Sequence, residues 1–167
     1  RRPDWVLQVG VGGAYPQGGL GIGALALASE EWYGDLGVRT DEGWQGADLI
    51  GIPVYGEDGY NKFVLAGECL DRAREVLPEV KVGPFATVQE CSGTDELGLE
   101  RGARFGAVCE NMEGAAAAHV CALYGVPFLE VRAMSNRVEK RDREQWDLVG
   151  AVARAQEAAA RLLESEI

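Results

Sequence analysis

The length and composition of this chain indicate a single domain with a sizeable core. It has 167 residues, of which 47% are hydrophobic, and this supplies enough apolar surface to bury on folding. The formal net charge of −11 argues against a nucleic-acid partner, because phosphate backbones are bound by clustered Lys and Arg. The four cysteines and the single histidine lack the spacing of zinc ligands, and no apolar run is long enough to cross a bilayer. The sequence therefore predicts a cytoplasmic protein with free thiols, no membrane partner, no metal and no cofactor.

Strands and helices are predicted to alternate along the chain, which is typical of the α/β class. In chain order we expect a strand at 5–9, an apolar strand within 20–28, loops with short strands over 34–62, and a helix over 63–77 that Pro78 ends. There follow a strand over 80–88, a helix from Thr94, a strand over 106–109, a helix over 112–124 that Gly125 ends, a strand over 127–134 and a helix over 144–163.

Two glycine motifs are candidates for ligand contact. Residues 10–13 (GVGG) follow the first strand, and glycines at a strand end let backbone N–H groups approach a ligand oxygen. Residues 21–26 (GIGALA) fit the dinucleotide fingerprint, which requires a strand before it and a helix after it. Here a loop precedes the motif and an apolar run follows it, so we favour a strand whose glycines permit close packing.

Polar side chains follow the last two predicted strands of the sheet. Glu113 lies where the strand at 106–109 gives way to a helix, and Asn136 lies at the exit of the strand at 127–134. In an open α/β sheet ligands bind at the carboxyl ends of strands, so we expect both side chains in one pocket. A carboxylate can accept both hydroxyls of a cis-diol, an amide can both donate and accept, and Met112 offers an apolar face for a sugar ring.

The segments ENMEGAAA at 110–117 and PFLEVRAMSN at 127–136 resemble the nucleoside phosphorylase/hydrolase superfamily. Within it they are most similar to the futalosine hydrolases, which are relatives of the methylthioadenosine/S-adenosylhomocysteine nucleosidases. The GVGG run resembles the strand-end glycine turn of that fold, and residues 87–94 resemble its segment lining the base and the 5′ side of the pocket. The resemblance implies a three-layer fold with a central twisted mixed sheet flanked by helices, in one domain over residues 1–167.

The resemblance also implies roles for individual residues. Glu113 would hold the ribose 2′ and 3′ hydroxyls, and Asn136 would contact the N7/O6 edge of the purine, so these two are the predicted catalytic residues. The predicted substrate-binding residues are Met112, which would pack on the ribose, together with Asn111, Gly12, Val11, Val88, Cys91 and Ser135.

Two departures from the adenine-cleaving relatives predict a different base. Those relatives carry Asp where this chain has Asn136, and an acid where it has Asn111. A 6-oxopurine presents two acceptors, N7 and O6, which an amide NH₂ serves without charge. The implied substrate is therefore a 6-oxopurine nucleoside, with futalosine of menaquinone biosynthesis foremost and hypoxanthine as the released base.

The implied reaction is hydrolysis of the N-glycosidic bond through an oxocarbenium-like transition state. The resemblance places the water-activating carboxylate in an N-terminal stretch of the family fold, and this chain is expected to start after that stretch. Two alternatives stay open: a phosphorolytic enzyme, which would need cationic phosphate ligands that 10–23 lack, and a purine-nucleoside-binding domain without catalysis. Relatives form dimers or larger assemblies, so a homo-oligomer is expected, and Trp32, Tyr33 and Trp44 are candidates for its interface.

Overall fold

The computed structural model describes residues 1–165, which form eight strands and four α-helices. The strands are β1 (Val6–Ala14), β2 (Leu25–Tyr33), β3 (Gly37–Thr40), β4 (Gly43–Gly46), β5 (Lys62–Val64), β6 (Lys81–Thr87), β7 (Cys109–Asn111) and β8 (Phe128–Arg137). The helices are α1 (Glu68–Val76), α2 (Asp95–Phe105), α3 (Gly114–Tyr124) and α4 (Leu148–Glu164). No helix within residues 1–165 has the length and apolarity needed to span a membrane.

The central sheet contains both parallel and antiparallel pairs and closes on itself. Its strand order is β5-β2-β6-β7-β1-β8, and β2 also pairs with β8 through Leu25 and Ala133. Neighbours β2–β6, β6–β7 and β1–β8 are parallel, whereas β1–β7, β2–β5 and β2–β8 are antiparallel. The predicted central mixed sheet flanked by helices is confirmed, and the β2–β8 pairing adds a closure that the sequence did not predict.

The glycine run lies inside β1, so the predicted strand-end turn at 10–13 is wrong. Strand β1 continues through Ala14 and pairs with β8, with a register shift between Gly12 and Gly13. Side-chain and main-chain atoms of neighbouring strands approach Gly10 and Gly12 too closely for a Cβ. A Cβ on Gly10 would lie 2.7 Å from Arg132 Nη1, and one on Gly12 would lie 2.9 Å from the carbonyl oxygen of Glu110.

The GIGALA motif forms a turn that leads into a strand. Gly23 has φ of 82°, a left-handed conformation, and β2 begins two residues later at Leu25. No helix follows the motif before β2, so the geometry of a dinucleotide site does not form there. The predicted strand is correct from Leu25 onward, but the glycines precede it and do not pack within it.

Two helix boundaries differ from the sequence predictions. Residues 62–64 form β5 on the edge of the sheet, and α1 begins only at Glu68. The helical spacing of apolar residues before 68 was fortuitous, since Phe63 packs into the core from a strand. The last helix begins at Leu148, where the Asp147 side chain caps it by accepting from the Gly150 N–H.

The aromatic residues proposed for an interface pack within the chain. Trp32 and Trp44 lie against the Phe105 ring at centroid distances of 5.0 and 5.8 Å. Tyr33 contacts Phe63 edge-on at 5.7 Å, and all three proposed residues are only partly exposed. They lie in or near a segment without hydrophobic periodicity, so the sequence carried no signal of their burial.

Candidate active site

A cavity of about 260 Å³ lies where β1, β7 and β8 come together. Its walls come from the second half of β1, the end of β7 with the following loop, and the end of β8. The lining residues used below are Val11, Gly12, Cys91, Ser92, Glu110, Asn111, Met112, Glu113, Arg132, Ser135, Asn136, Arg141 and Trp146. Glu113 and Asn136 therefore do share one pocket, although β1 separates their two strands in the sheet.

Of the predicted site residues, Val88 alone does not line this cavity. It is fully buried, and its N–H donates to the carbonyl oxygen of Asn111 at 2.9 Å. Val88 thus extends the pairing between β6 and β7 by one residue. In this structure Val88 lies outside the cavity and holds the Asn111 main chain in place.

Glu113 stands at the first turn of α3 with its side chain in the open part of the cavity. Its side chain is 62% exposed, and its Oε2 lies 3.0 Å from Arg132 Nη1. The helix N-terminus behind it is capped by other residues: the Glu113 and Gly114 N–H groups donate to Asn111 Oδ1, and the Ala115 N–H donates to Thr87 Oγ1. Glu113 is therefore free of a capping role and available to a ligand.

Arg132 connects the cavity to the protein interior. Its side chain is 5% exposed, and its Nε donates to Glu130 Oε1 at 2.7 Å. Its Nη1 reaches Glu113 and also donates to the Val11 carbonyl oxygen at 2.9 Å, which the glycines of β1 permit. Arg132 therefore forms a buried ion pair with Glu130, and its buried Nη2 has no hydrogen-bond partner among residues 1–165.

The Asn111 side chain is fully engaged inside the fold. Besides capping α3, its Oδ1 lies 2.9 Å from Thr87 Oγ1, and its Nδ2 donates to Glu31 Oε1 at 2.6 Å. Asn111 is 4% exposed. These contacts engage both the oxygen and the nitrogen of the Asn111 amide. The effect of Asn111 on the cavity is therefore to position the next two residues, Met112 and Glu113.

The Asn136 amide is oriented by its neighbour Ser135. The Ser135 hydroxyl donates to Asn136 Oδ1 at 2.8 Å, and Asn136 Nδ2 donates to the Arg137 carbonyl oxygen at 2.9 Å. With the oxygen held by Ser135, the amide presents its NH₂ side, of which one hydrogen stays free for a ligand. This is the donor geometry that an acceptor edge such as N7/O6 requires.

Glu110 forms a buried acceptor site that sequence reasoning missed, although it lies within the quoted motif. Its carboxylate accepts from Tyr15 Oη at 2.9 Å, from the Ser92 N–H at 2.9 Å and from Ser92 Oγ at 2.5 Å. Arg101 donates to Ser92 Oγ at 3.0 Å and so adds a positive charge nearby. Burial, with the Glu110 charge second, raises the pKa of Tyr15, which therefore stays a hydrogen donor.

The mouth of the cavity is partly apolar and partly cationic. Cys91 Sγ lies 3.5 Å from Met112 Sδ, and these two residues form one wall. Arg141 and Trp146 also line the cavity, and the Arg141 guanidinium lies 5.0 Å from the Trp146 ring centroid. Arg141 and Trp146 come from the segment between β8 and α4, for which the sequence predicted no contact with the pocket.

The family is settled by comparison with known proteins. The chain matches the family model described as the Phosphorylase superfamily over residues 1–167 and belongs to that superfamily. A futalosine hydrolase of Thermus thermophilus is 38% identical to it over 164 residues, which are 96% of this chain and 69% of that protein. A futalosine hydrolase of Streptomyces coelicolor is 32% identical over 161 residues, which are 95% of this chain and 65% of that protein.

A solved structure has the same fold. The native structure of futalosine hydrolase from Helicobacter pylori matches with a TM-score of 0.81 at 21% identity, over 96% of this chain and 68% of that one. The chain thus spans about two thirds of the length of these relatives.

Proposed function

We propose that this protein hydrolyses the N-glycosidic bond of a 6-oxopurine nucleoside, with futalosine as its substrate and hypoxanthine as the released base. The futalosine hydrolases among its relatives support this activity, and the observation that carries it is the Asn136 amide held by Ser135 in the same cavity as Glu113. Recognition of such a nucleoside needs two elements. One is an amide that donates to the neutral acceptor edge of the base, and the other is a carboxylate that accepts from the ribose diol.

Glu113 binds the ribose and stabilises its positive charge. Its carboxylate accepts the 2′ and 3′ hydroxyls, and the charge that develops on the sugar ring as the C1′–N9 bond breaks lies next to it. Arg132 holds one oxygen of Glu113 from the interior side, which fixes the side chain without covering its exposed face. Met112 packs against the ribose from the Cys91 wall.

Asn136 stabilises the leaving base. The electron pair of the broken bond moves into the purine, and the free N–H of the Asn136 amide donates to the N7/O6 edge where that charge collects. Water adds its oxygen to C1′, and of its two hydrogens one stays on the new ribose hydroxyl and the other balances the proton taken up by hypoxanthine. Glu110 is not assigned as the base for this water, because Tyr15 and Ser92 already occupy its carboxylate.

The charge balance at the inner wall favours water over phosphate as the nucleophile. Arg132 is the buried cation of the cavity, and Glu130 and Glu113 both contact it. To bind Arg132, a phosphate anion would have to displace one of these carboxylates or lie beside it. Binding would then be opposed by the desolvation of the phosphate and by its repulsion from the carboxylates. This observation ranks hydrolysis above phosphorolysis, the alternative that the sequence left open.

We also propose that the protein is a cytoplasmic homo-oligomer. Its four cysteines are free thiols, in keeping with a reducing compartment. Apolar side chains are exposed on β5 and on the last turn of α3, namely Val64, Leu123 and Tyr124. Within the described residues β5 pairs only with β2, so its other edge is open to a partner. Analytical ultracentrifugation of the protein and of Val64→Lys tests this, and a wild-type monomer contradicts it.

Chromatography of released base tests the proposed activity. Futalosine, inosine and methylthioadenosine are each incubated with the protein, with and without phosphate. We expect hypoxanthine from futalosine, independent of phosphate, and no adenine from methylthioadenosine. Phosphate-dependent release from inosine would establish a phosphorylase, and nucleoside binding without any release would establish a binding domain.

A further inference from the structure

Two glutamates with no assigned role lie completely buried beneath the start of α3. Glu31 projects from β2 and Glu130 from β8, and both have an exposed fraction of 0%. Their carboxyl groups converge on Gly114, where any Cβ would overlap both Glu31 Oε1 and Glu130 Oε2. Two carboxylates this close cannot both be ionised without partners, because buried like charges repel strongly.

Within the described part of the chain, one carboxylate oxygen of the pair, Glu130 Oε2, lacks the hydrogen donor that a proton on Glu31 would supply. Glu31 accepts from Asn111 Nδ2 at 2.6 Å and from Thr87 Oγ1 at 2.8 Å, and Arg132 contacts Glu130. Glu130 Oε2 has no donor among residues 1–165 when both acids are ionised. A proton on Glu31 Oε1 gives Glu130 Oε2 the missing donor, while Glu130 keeps the charge that pairs with Arg132.

Electrostatics agree with this assignment. Burial, with the Glu130 charge second, raises the pKa of Glu31 well above its ordinary value and outweighs the hydrogen bonds from Thr87 and Asn111, which lower it. Burial also raises the pKa of Glu130, but Arg132 opposes that rise. The other titratable groups that act on the pair are Glu113, the Cys109 thiol on β7 and the Tyr33 phenol on β2. Arg132 is the cation in contact with the pair.

The chain of contacts from this pair ends at Glu113. Glu31 Oε1 and Glu130 Oε2 lie together at Gly114, Glu130 Oε1 accepts from Arg132 Nε, and Arg132 Nη1 contacts Glu113 Oε2. With one proton in the pair, the charges of Glu130, Arg132 and Glu113 sum to one negative charge, and that charge is exposed in the cavity. Loss of the proton would put a second buried negative charge, on Glu31, beside the Glu130 charge that pairs with Arg132.

We propose that Glu31 and Glu130 share a single proton and act as positioning residues that hold Glu113, through Arg132, in the orientation that binds ribose. This rests on the proposed function for the role of Glu113. Glu130 supplies the charge that anchors Arg132, whereas Glu31 supplies a neutral hydrogen donor. The two acids therefore respond differently to the same isosteric change.

Amide variants separate the two roles. In Glu31→Gln the amide still donates to Glu130, so we expect kcat for inosine or futalosine to stay within about tenfold of wild type. In Glu130→Gln the anchor of Arg132 is lost and Glu113 shifts, and kcat falls roughly 100-fold. Equal losses in the two variants, or near-normal kcat in Glu130→Gln, would overturn the proposal.

A comparison of ligands separates positioning from general damage to the fold. Glu113 serves the ribose and not the base, so Glu130→Gln should raise the KM of futalosine while leaving the inhibition constant of hypoxanthine within about twofold of wild type. If the substitution weakened the binding of both ligands to the same extent, the role of Glu130 would be merely structural, and this would overturn the proposal.

The shared proton has a readout that does not depend on catalysis. Infrared spectra at neutral pH should contain a protonated-carboxyl stretch that shifts in D₂O and is absent from Glu31→Gln. Its absence from the wild type would disprove the shared proton. If the wild type cleaves and binds no purine nucleoside, the proposed function fails, and the infrared band still decides whether the pair holds a proton.

Discussion

The ion pair between Arg132 and Glu113 joins a buried cation to an exposed carboxylate. The Nη1 to Oε2 distance is 3.0 Å, and the side chains are 5% and 62% exposed, respectively. Most of the attraction is therefore felt from the interior side, where solvent screens it least. The open side of Glu113 keeps its remaining lone pairs for a ligand, which makes this carboxylate the first group to test.

Replacing Glu113 by Gln should abolish most of the activity while leaving the fold intact. The amide has one acceptor oxygen for two ribose hydroxyls and carries no charge to stabilise the oxocarbenium ion. A lost hydrogen bond to a charged group costs about 3 kcal/mol, so kcat/KM should fall on the order of 100-fold. Steady-state kinetics with futalosine measure this fall in kcat/KM.

Glu144→Gln is the matched control for this variant. Glu144 is exposed on a short helix at Arg143–Gln145 and does not line the cavity, so its loss changes net charge equally without touching the ligand. We expect wild-type kinetics from it. Turnover by Glu113→Gln at the level of the control would disprove the role assigned to Glu113.

Replacing Asn136 by Asp should change which base is released. An ionised carboxylate offers acceptors only, so it repels the N7 and O6 acceptors of a 6-oxopurine, and its protonated form can serve N7 of adenine. We expect hypoxanthine release to fall at least tenfold and adenine release from methylthioadenosine to appear. The ratio of the two bases in parallel assays gives the result, and an unchanged ratio contradicts the base-reading role.

The parts of the fold that could be predicted are those governed by local rules. Helix α3 was correct because an alanine-rich run ends at Gly125, which adopts φ of 60° as a left-handed C-terminal residue. Helix α2 was correct because Thr94 caps it by accepting from the Leu97 N–H. Strand β8 was recognisable from its apolar residues Phe128, Leu129, Val131, Ala133 and Met134, although the charged residues between them are also buried.

The remaining features depend on contacts between distant segments. Glu31 and Thr87 form a hydrogen bond although 56 positions separate them in the sequence, and Tyr15 and Glu110 do so at a separation of 95. No local sequence pattern predicts either contact. The closure of the sheet through β2 and β8 is equally non-local. For this reason the sequence predicted Glu113 and Asn136, which lie near the ends of β7 and β8, but not the buried acids Glu31 and Glu130.

The location of the nucleoside can be tested without catalysis, through the thiol of Cys91. Cys91 is exposed and lines the cavity, whereas burial raises the pKa of Cys109 and of Cys121 and suppresses their thiolates. Alkylation by iodoacetamide should therefore modify Cys91 and the partly exposed Cys69 first. Mass spectrometry of the labelled peptides measures both.

Saturating inosine should slow the labelling of Cys91 at least threefold and leave that of Cys69 unchanged, because Cys69 lies on α1, outside the cavity. Cys69 thus serves as an internal control for any general effect of the ligand on the fold. Equal protection of both thiols, or of neither, would contradict binding in this cavity.

The buried proton on Glu31 should make the stability of the protein depend on pH in a defined direction. The pKa of Glu31 is raised in the folded state, so between the unfolded pKa of about 4.3 and the folded pKa the native state binds one proton more than the unfolded state. The contribution of this group is fully present below that window and is lost as the pH rises through it. The free energy of unfolding of the wild type, relative to Glu31→Gln, should therefore fall by about 1.4 kcal/mol per pH unit within the window.

Urea unfolding of both proteins from pH 5 to pH 8 measures this slope. The slope is the diagnostic quantity, because Gln at position 31 also loses the acceptor for Asn111 Nδ2, which shifts stability by an amount that does not vary with pH. Parallel stability curves for the two proteins would mean that Glu31 is ionised in the native state. The repulsion with Glu130 would then have to be relieved by a cation other than Arg132.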